Sequence, residues 1–576
     1  MQKLSFILII ILLSAIFITE GFGFPGLRPI TYYLILVLAG LALLSSFFLK
    51  QRINVPRKIG LLVFFFLVLT LLSHIFSVNL EKSVLSFFLY FSAFSLFLYA
   101  YNNQKKLKQV FPIFLIVIAF ALATYSLWLN YQMLSLINFR YLMPNDGFNL
   151  VYSTYAKHNH LGDFLLLILV ANFYFLLAGK YRLANIILII VFLPQFMLSY
   201  SRSAYSALAI SMVVMLIFYL RKKRKGESRI RQYFLILVLL LVSLTSLFYA
   251  FSLTKNVQNQ SFIQHVRQYY PENIKQVSKV TLNGRDQYWQ EAFTSIKERP
   301  LFGLGLGNFF NASTRHTPTP FEWVRTSLNM FLTVFTETGV IAGLVFMLII
   351  LQLLLRAKKN SLYFYLWLAL LINFMTDYTY AIYSMFILFF ILAGLMLKNN
   401  KDLTIKPKAL LIAGTVPVFL LLAISLHNIF LRMDKSTLAL AVYPFKKTPY
   451  EKLIVKNMAT QKYGNVFFLL KAYEYMYKGN TSVLVSIANL HLSLGNKDVA
   501  LQKLKKAYYW HPFEGVDLYR RIYYLEKELN GTKNANSFVK LHTQKIQQLK
   551  EHYRTEIVKE DLKKFCQLKK LSCNNH

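Results

Sequence analysis

Charge is what this sequence has least of. Of its 576 residues only 15% are charged, against about 25% in an ordinary soluble domain, so the chain lacks the polar coat that a water-soluble protein of this length needs. Acidic residues are the scarcer half: 25 Asp and Glu stand against 64 Lys and Arg, a formal net charge of +39. There are two cysteines, Cys566 and Cys573. So few exclude a disulfide framework or a cysteine-built metal cluster, and a spacing of seven fits no metal motif. They read as incidental thiols, able to pair only in an oxidising compartment. No metal and no cofactor is expected.

What fills the chain instead is apolar: 56% of it is hydrophobic. Runs rich in Leu, Ile, Phe and Val recur over the first three quarters, near or above the roughly 18 residues that span a bilayer. Lipid offers the backbone no hydrogen bonds, so each run must be a helix. The spans are expected at 5–19, 31–49, 60–76, 84–100, 110–130, 160–178, 183–199, 203–220, 233–253, 328–355, 361–376, 382–397 and 409–430. The first follows Lys3 as in a signal peptide, but no small-residue cleavage site follows, so it reads as a retained span. The fold class is all-α: a polytopic helical membrane protein of about 12–13 spans.

The basic charge sorts itself by loop. One alternating set holds Lys3, then Lys50 to Lys58, Lys105 to Lys108, Lys180 and Arg182, Arg221 to Arg231, Arg356 to Lys359, and Lys398 to Lys408. The short loops of the other set, 20–30, 77–83, 200–202 and 377–381, are nearly charge-balanced. Retention of Lys and Arg on the cytoplasmic side explains this better than a nucleic-acid partner, and it places the N-terminus inside and, after an odd number of spans, the tail outside. Four regions follow: a first bundle over 1–253, a large outer loop over 254–327, further spans over 328–430 and an outer tail over 431–576.

The tail segment from Thr481 to Pro512 places small residues at Ala488, Ala500 and Ala507, a turn at Gly495–Asn496 and a closing proline. Those offsets match a tetratricopeptide-like helical hairpin, which needs neighbours to bury its face. Segments 450–479 and 516–548 read as helical flanks. The role implied is recognition, with a protein partner one candidate; an ordinary helical hairpin is the plainer alternative.

Polar residues at the ends of spans are functional candidates. Lys157, His158, Asn159 and His160 stand at the entry to the sixth span, where they serve equally as an interfacial anchor. Arg202, in SYSRSAY, is an arginine on the side that otherwise avoids them, suited to bidentate contact with phosphate or to snorkelling toward headgroups. Residues 284–299 read as an amphipathic helix with Trp289, Ala292, Phe293 and Ile296 on one face. Arg285 opens it, where the positive end of the helix dipole favours an anion. The GLGLGNF run after Pro300 follows no strand and is weak as a phosphate loop. Beyond it come His316, able to titrate near neutrality as a general base, then Glu322, Arg325, Asn329 and, inside the tenth span, Glu337, which is alternatively a buried structural acid.

The order SYSRSAY, then R…W…A…ERPLFGLGLGNF, then LNMFLTVFTETGVIAG resembles the superfamily of O-antigen ligases, O-antigen polymerases and O-linked oligosaccharyltransferases, over roughly residues 150–400. The resemblance implies a bacterial inner-membrane glycosyltransferase whose outer arginines hold the diphosphate of an undecaprenyl-linked glycan donor. Carried over, Arg202 and Arg285 take that role, with Arg325 a third. Acceptors in the superfamily are lipid, glycan or protein hydroxyls. The members' His-Asn pair, followed after nine residues by Gly, is matched here only by Asn329 and Gly339; Leu328 stands where the histidine belongs. His316 then becomes the candidate base, with Arg325 beside it in the catalytic role. A transporter would show repeat symmetry and charges at mid-bilayer, and neither is seen. A mere scaffold for the repeats leaves the spans unexplained.

Overall fold

The computed structural model describes residues 2–21, 28–48, 53–136, 158–199, 201–221, 285–317, 324–398, 402–512 and 516–552. Helices follow the apolar runs. They are α1 (Gln2–Gly21), α2 (Arg28–Phe48), α3 (Arg57–Ser73), α4 (Leu80–Asn102), α5 (Gln104–Leu136), α6 (His158–Leu177), α7 (Arg182–Leu198) and α8 (Arg202–Arg221). The long loop after the first bundle contributes α9 (Arg285–Glu298) and α10 (Phe309–His316), and the spans that follow are α11 (Met330–Arg356), α12 (Leu362–Phe374), α13 (Tyr383–Met396) and α14 (Pro407–Arg432). Twelve of the thirteen expected spans coincide with helices; the ninth, 233–253, lies outside the described residues. Among the described residues six helices are long and apolar enough to cross a membrane by themselves, Met330–Arg356 and Pro407–Arg432 included, and α1, α6, α7, α12 and α13 are shorter apolar helices. The chain is an all-α, multi-pass membrane protein.

Helix starts are written locally. The side chains of Asn79, Asn329 and Ser361 accept from the backbone N–H groups of Lys82, Leu332 and Phe364, capping α4, α11 and α12. Inside the bundle, Phe66, Phe164, Phe346 and Trp367 are fully buried, while Phe64, Ile113, Ile190 and Phe419 point outward at more than 60% exposure, the face that lipid covers. α4 packs on α13, α3 on α11, α2 on α14, and α6 on α7, α8 and α12.

Loops of each charge set meet their own kind. In the basic set, β1 (Ile53–Pro56) pairs antiparallel with β2 (Asp402–Ile405), Ile53 opposite Ile405. Asn102 donates to the Asn54 carbonyl at 2.9 Å, Gln104 to that of Gly394 at 2.9 Å, and Tyr363 to that of Lys108 at 3.0 Å. In the other set, Val78 N–H donates to the Leu304 carbonyl at 3.0 Å and Gly479 N–H to that of Val78 at 2.8 Å.

The tail continues as α15 (Ser436–Val442), α16 (Lys447–Ala459), α17 (Tyr463–Met476), α18 (Thr481–Ser493), α19 (Lys497–Trp510) and α20 (Val516–His552). Ala488, Ala500 and Ala507 are fully buried where α18 and α19 pack. This unit is not a free appendage: Leu304, Phe309 and Ala312 of the loop share one apolar core with Leu484, Ala488, Leu504 and Tyr508 of the tail. Cys566 and Cys573 lie outside the described residues.

Candidate active site at the end of the bundle

The glycine run proves to be a structural lock. α11 is broken at Gly339, whose φ is 84°, and the loop 300–307 enters the break. Leu304 N–H donates to the Thr336 carbonyl at 3.0 Å, Gly305 N–H to that of Glu337 at 2.7 Å, and Val340 N–H to that of Pro300 at 2.7 Å. Contact is so close that a Cβ on Gly303 would lie 2.5 Å from the Glu337 carbonyl carbon, and one on Gly339 2.2 Å from the Leu301 oxygen. Only glycine fits both the space and the positive φ. Glu337 is itself buried, its Oε1 accepting from Phe309 N–H at 3.1 Å at the start of α10, with Gly307 and Asn308 also donating backbone bonds. Its role is to tie α10 to the broken helix, the structural alternative.

A second polar cluster lies where α6 and α8 begin and α12 ends. Asp163 is fully buried, and its Oδ1 accepts from Ser201 Oγ at 3.2 Å and Asn373 Nδ2 at 2.7 Å, its Oδ2 from Thr379 Oγ1. Asp377, also buried, accepts from Ser203 Oγ at 2.7 Å and from Tyr378 N–H at 2.7 Å. Gly162 lets α6 press against this corner: a Cβ there would stand 2.4 Å from Ser199 Oγ. Between Ser201 and Ser203 sits Arg202, half-buried as the first residue of α8.

Arg285, the first residue of α9, comes to the same place. Its charge acts on both Arg202 and Asp377. Burial and then Asp163 push the Asp377 carboxyl above the usual carboxylate range, against the pull of Arg285. Two guanidinium groups, each the first residue of a helix, thus act on one another through their charge, and one of them acts on the buried Asp377. Like charges held together in this way hold an anion between them well.

The other expected residues fall elsewhere. Arg325 is exposed and its charge acts on Lys82, whose ammonium also senses Glu337 and lies 5.3 Å from the Phe310 ring centroid. Leu328 adopts a left-handed backbone with φ 57°. Beside it, Asn329 Nδ2 donates to the Met375 carbonyl at 3.0 Å, and Tyr380 shares a 2.6 Å hydrogen bond with Thr333. Position 328 therefore borders the turn that carries Asp377. His316 stands apart from the arginine pair, with Nε2 3.3 Å from a Glu298 carboxylate oxygen. Glu298 is thirteen residues along α9 from Arg285, about 20 Å of helix. His158, Asn159 and His160 form the first turn of α6; Lys157 and Glu322 lie outside the described residues. On α9 the expected apolar face is corrected: Glu291, Ala292 and Ser295 are buried and Phe293 is 53% exposed, because small side chains let the helix approach its neighbours closely.

Asp163 and Asp377 read in the sequence as no more than acids near span ends, and Ser201, Ser203, Thr379, Asn373 and Lys82 carry no motif. Lys82 had a signal, being a cation in a loop of the charge-balanced set. The carboxylates had none in one dimension.

Fold and site together define a multi-pass membrane protein with two arginines and two buried carboxylates gathered at the end of its bundle where the charge-balanced loops meet. Residues 183–347 match the protein-family model described as O-antigen ligase. That segment runs from α7 into α11 and includes Arg202, Arg285, His316, Arg325, Asn329 and Glu337; the similarity supports the superfamily named above and suggests glycan transfer. No curated protein matches the chain.

Proposed function

We propose that the protein transfers a glycan from an undecaprenyl-diphosphate-linked donor to an acceptor hydroxyl at the periplasmic face of the bacterial inner membrane. In this reading the N-terminus is cytoplasmic and the loop 254–327 and the tail 431–576 are periplasmic. The observation that carries it is the convergence of Arg202 and Arg285, each opening a helix, beside the buried Asp163–Asp377 pair.

The chemistry follows from charge. The acceptor oxygen attacks the anomeric carbon while the bond from that carbon to the diphosphate oxygen breaks. Negative charge grows on the departing diphosphate, and preorganised guanidinium groups in a partly dry site stabilise it. Asp377 balances the charge of Arg285 and does not touch the sugar. Leu328 offers no base, so the proton of the acceptor hydroxyl passes to the diphosphate as it leaves. Arg325 and Lys82 flank the same rim and guide the anionic donor inward.

The test is transfer by purified protein in nanodiscs supplied with lipid-diphosphate donor. Arg202→Ala and Arg285→Ala, each at normal expression, are expected to abolish it; full activity in both removes the proposal. Deletion of the gene then distinguishes acceptors. Loss of glycoprotein signal alone points to an oligosaccharyltransferase, loss of capped lipid to a ligase, and chains cut to single repeat units to a polymerase.

A further inference from the structure

Between the outer loop and the tail lies a cavity of about 700 Å³ lined by none of the arginine-site residues. One wall is loop: Glu298, Arg315 and His316 from α9 and α10. The other is tail, with Lys505 and Tyr509 on α19 and Glu526 and Phe538 on α20. The walls are fixed relative to each other. Besides the shared apolar core, Thr314 Oγ1 donates to the Trp510 carbonyl at 3.1 Å and Asn311 Nδ2 to that of Gly479 at 2.7 Å. The cavity is preformed, and its volume lies in the range of small-molecule sites.

Its lining says what it takes. Arg315 stacks on Tyr509, 3.6 Å from the ring centroid, and forks onto Glu298 at 2.7 and 2.9 Å. Lys505 pairs with Glu526 at 2.6 Å. Each cation is thus already matched by a carboxylate, which disfavours a phosphate: an anion entering here meets Glu298 and Glu526. A lipid chain would strand four charges. A peptide captured by its backbone needs a strand edge, and one captured as a helix needs a continuous apolar groove; these walls are helical and studded with ion pairs. A sugar satisfies all of it, laying its C–H faces on Tyr509 and Phe538 and its hydroxyls against carboxylates that accept and guanidinium and ammonium groups that donate.

We infer that this cavity is a saccharide-binding site, which grips sugar units of an uncharged or weakly charged glycan away from the reacting end. α9 runs between the two sites, from Arg285 beside Arg202 to Glu298 in the cavity wall, a separation that several sugar units bridge. The source of the glycan rests on the transfer reading; the binding does not. His316 serves the cavity by orienting Glu298.

The experiment uses the full chain in nanodiscs and, as probe, oligosaccharide released by mild acid from the producing organism's own envelope, free of lipid and phosphate. Saturation-transfer NMR and calorimetry read the binding. Saturable binding is expected, weakened at least tenfold by Tyr509→Ala and by Ser537→Trp, which fills the cavity from an exposed position, and unchanged by Arg202→Ala. No saturable binding by the unmodified protein overturns the inference. So does binding that both cavity variants retain, or capture of peptides from a proteolytic digest with the oligosaccharide ignored. Failure of the transfer proposal would appear separately, as transfer that persists in Arg202→Ala and Arg285→Ala.

Discussion

Ser203 donates its hydroxyl to Asp377 at 2.7 Å, across 174 residues of chain. The bond joins the start of α8, where Arg202 stands, to the turn between α12 and α13. It fixes the distance between a guanidinium and the carboxylate that attends its neighbour Arg285. Ser203→Ala is expected to cost about 2 kcal/mol, the value of a hydrogen bond to a charged group, read as a lower unfolding temperature. Transfer should fall as well, and Ser203→Thr, which keeps the hydroxyl, should restore both. If Ser203→Ala transfers normally, the bond does not position the site.

Asp377 carries a pH signature. Burial first, and then Asp163, raise its carboxyl, while Arg285 opposes them. A raised folded value means that the native state favours the neutral form. Its contribution to stability is therefore complete below the unfolded value and lost as pH rises through the folded one. Activity runs the other way, because protonation strips Arg285 of its counter-charge. Transfer should decline on acidification at a pH above that of an ordinary aspartate. Asp377→Asn should lack this decline and run about a hundredfold slower throughout, as misplaced groups do. An unchanged acid limb in the variant excludes Asp377 as its origin.

Leu328 offers a gain of function. It holds a left-handed backbone that leucine adopts reluctantly, beside Asn329, which bridges to Met375 two residues before Asp377. A histidine here would stand near the reacting oxygen. Leu328→His should raise the rate about a hundredfold, the lower end of what a positioned base supplies, with a new pH dependence near neutrality. A flat response means that proton transfer does not limit the reaction.

The spans were legible because lipid leaves the backbone one solution, and each apolar run had to become a helix. Arg202 stands out in the sequence because an arginine in a short loop of the charge-balanced set runs against the trend that orients the other loops, and Arg285 because it opens a helix. What stayed hidden depends on pairing over distance. Asp163 looks like any acid at a span end until Ser201, Asn373 and Thr379 converge on it from three elements. The GLGLG run, weak as a phosphate loop, has no evident purpose until the break at Gly339, more than thirty residues on, appears as its partner. Phe293 faces outward because Ala292 and Ser295 let α9 approach closely, a preference for small residues that an apolar count does not register.

That lock makes its own prediction. Gly339→Ala places a Cβ 2.2 Å from the Leu301 oxygen at φ 84°, combining overlap with backbone that cannot relax. The combined cost is expected to exceed about 3 kcal/mol and to appear as loss of folded protein on fluorescence-detected size exclusion. Gly464→Ala, in the first turn of α17 with nothing within 4 Å of its Cβ, is the control and should be neutral or gain about 0.5–1 kcal/mol. Equal behaviour of the two variants would mean that the loop and the broken helix are not clamped together.

The tail should weaken in acid through one cluster. Glu474 accepts from Lys503 at 2.7 and 2.9 Å and from Lys506 at 2.9 Å, which ties α17 to α19. Burial pushes this carboxyl up, but the two lysines outweigh it and hold it below the usual range. A depressed folded value contributes stability above the unfolded value of 4.5, lost as pH falls through the folded one. His511 adds to the same trend from higher pH: burial lowers it to about 4, so between 6.5 and about 4 the unfolded chain takes up a proton that the folded tail refuses. Unfolding temperature, followed through the tail's Trp510 in the full chain, should therefore drop in two stages on acidification. Glu474→Gln should remove only the lower stage and His511→Asn only the upper. A single drop in all three proteins would show that neither group links the tail's stability to pH.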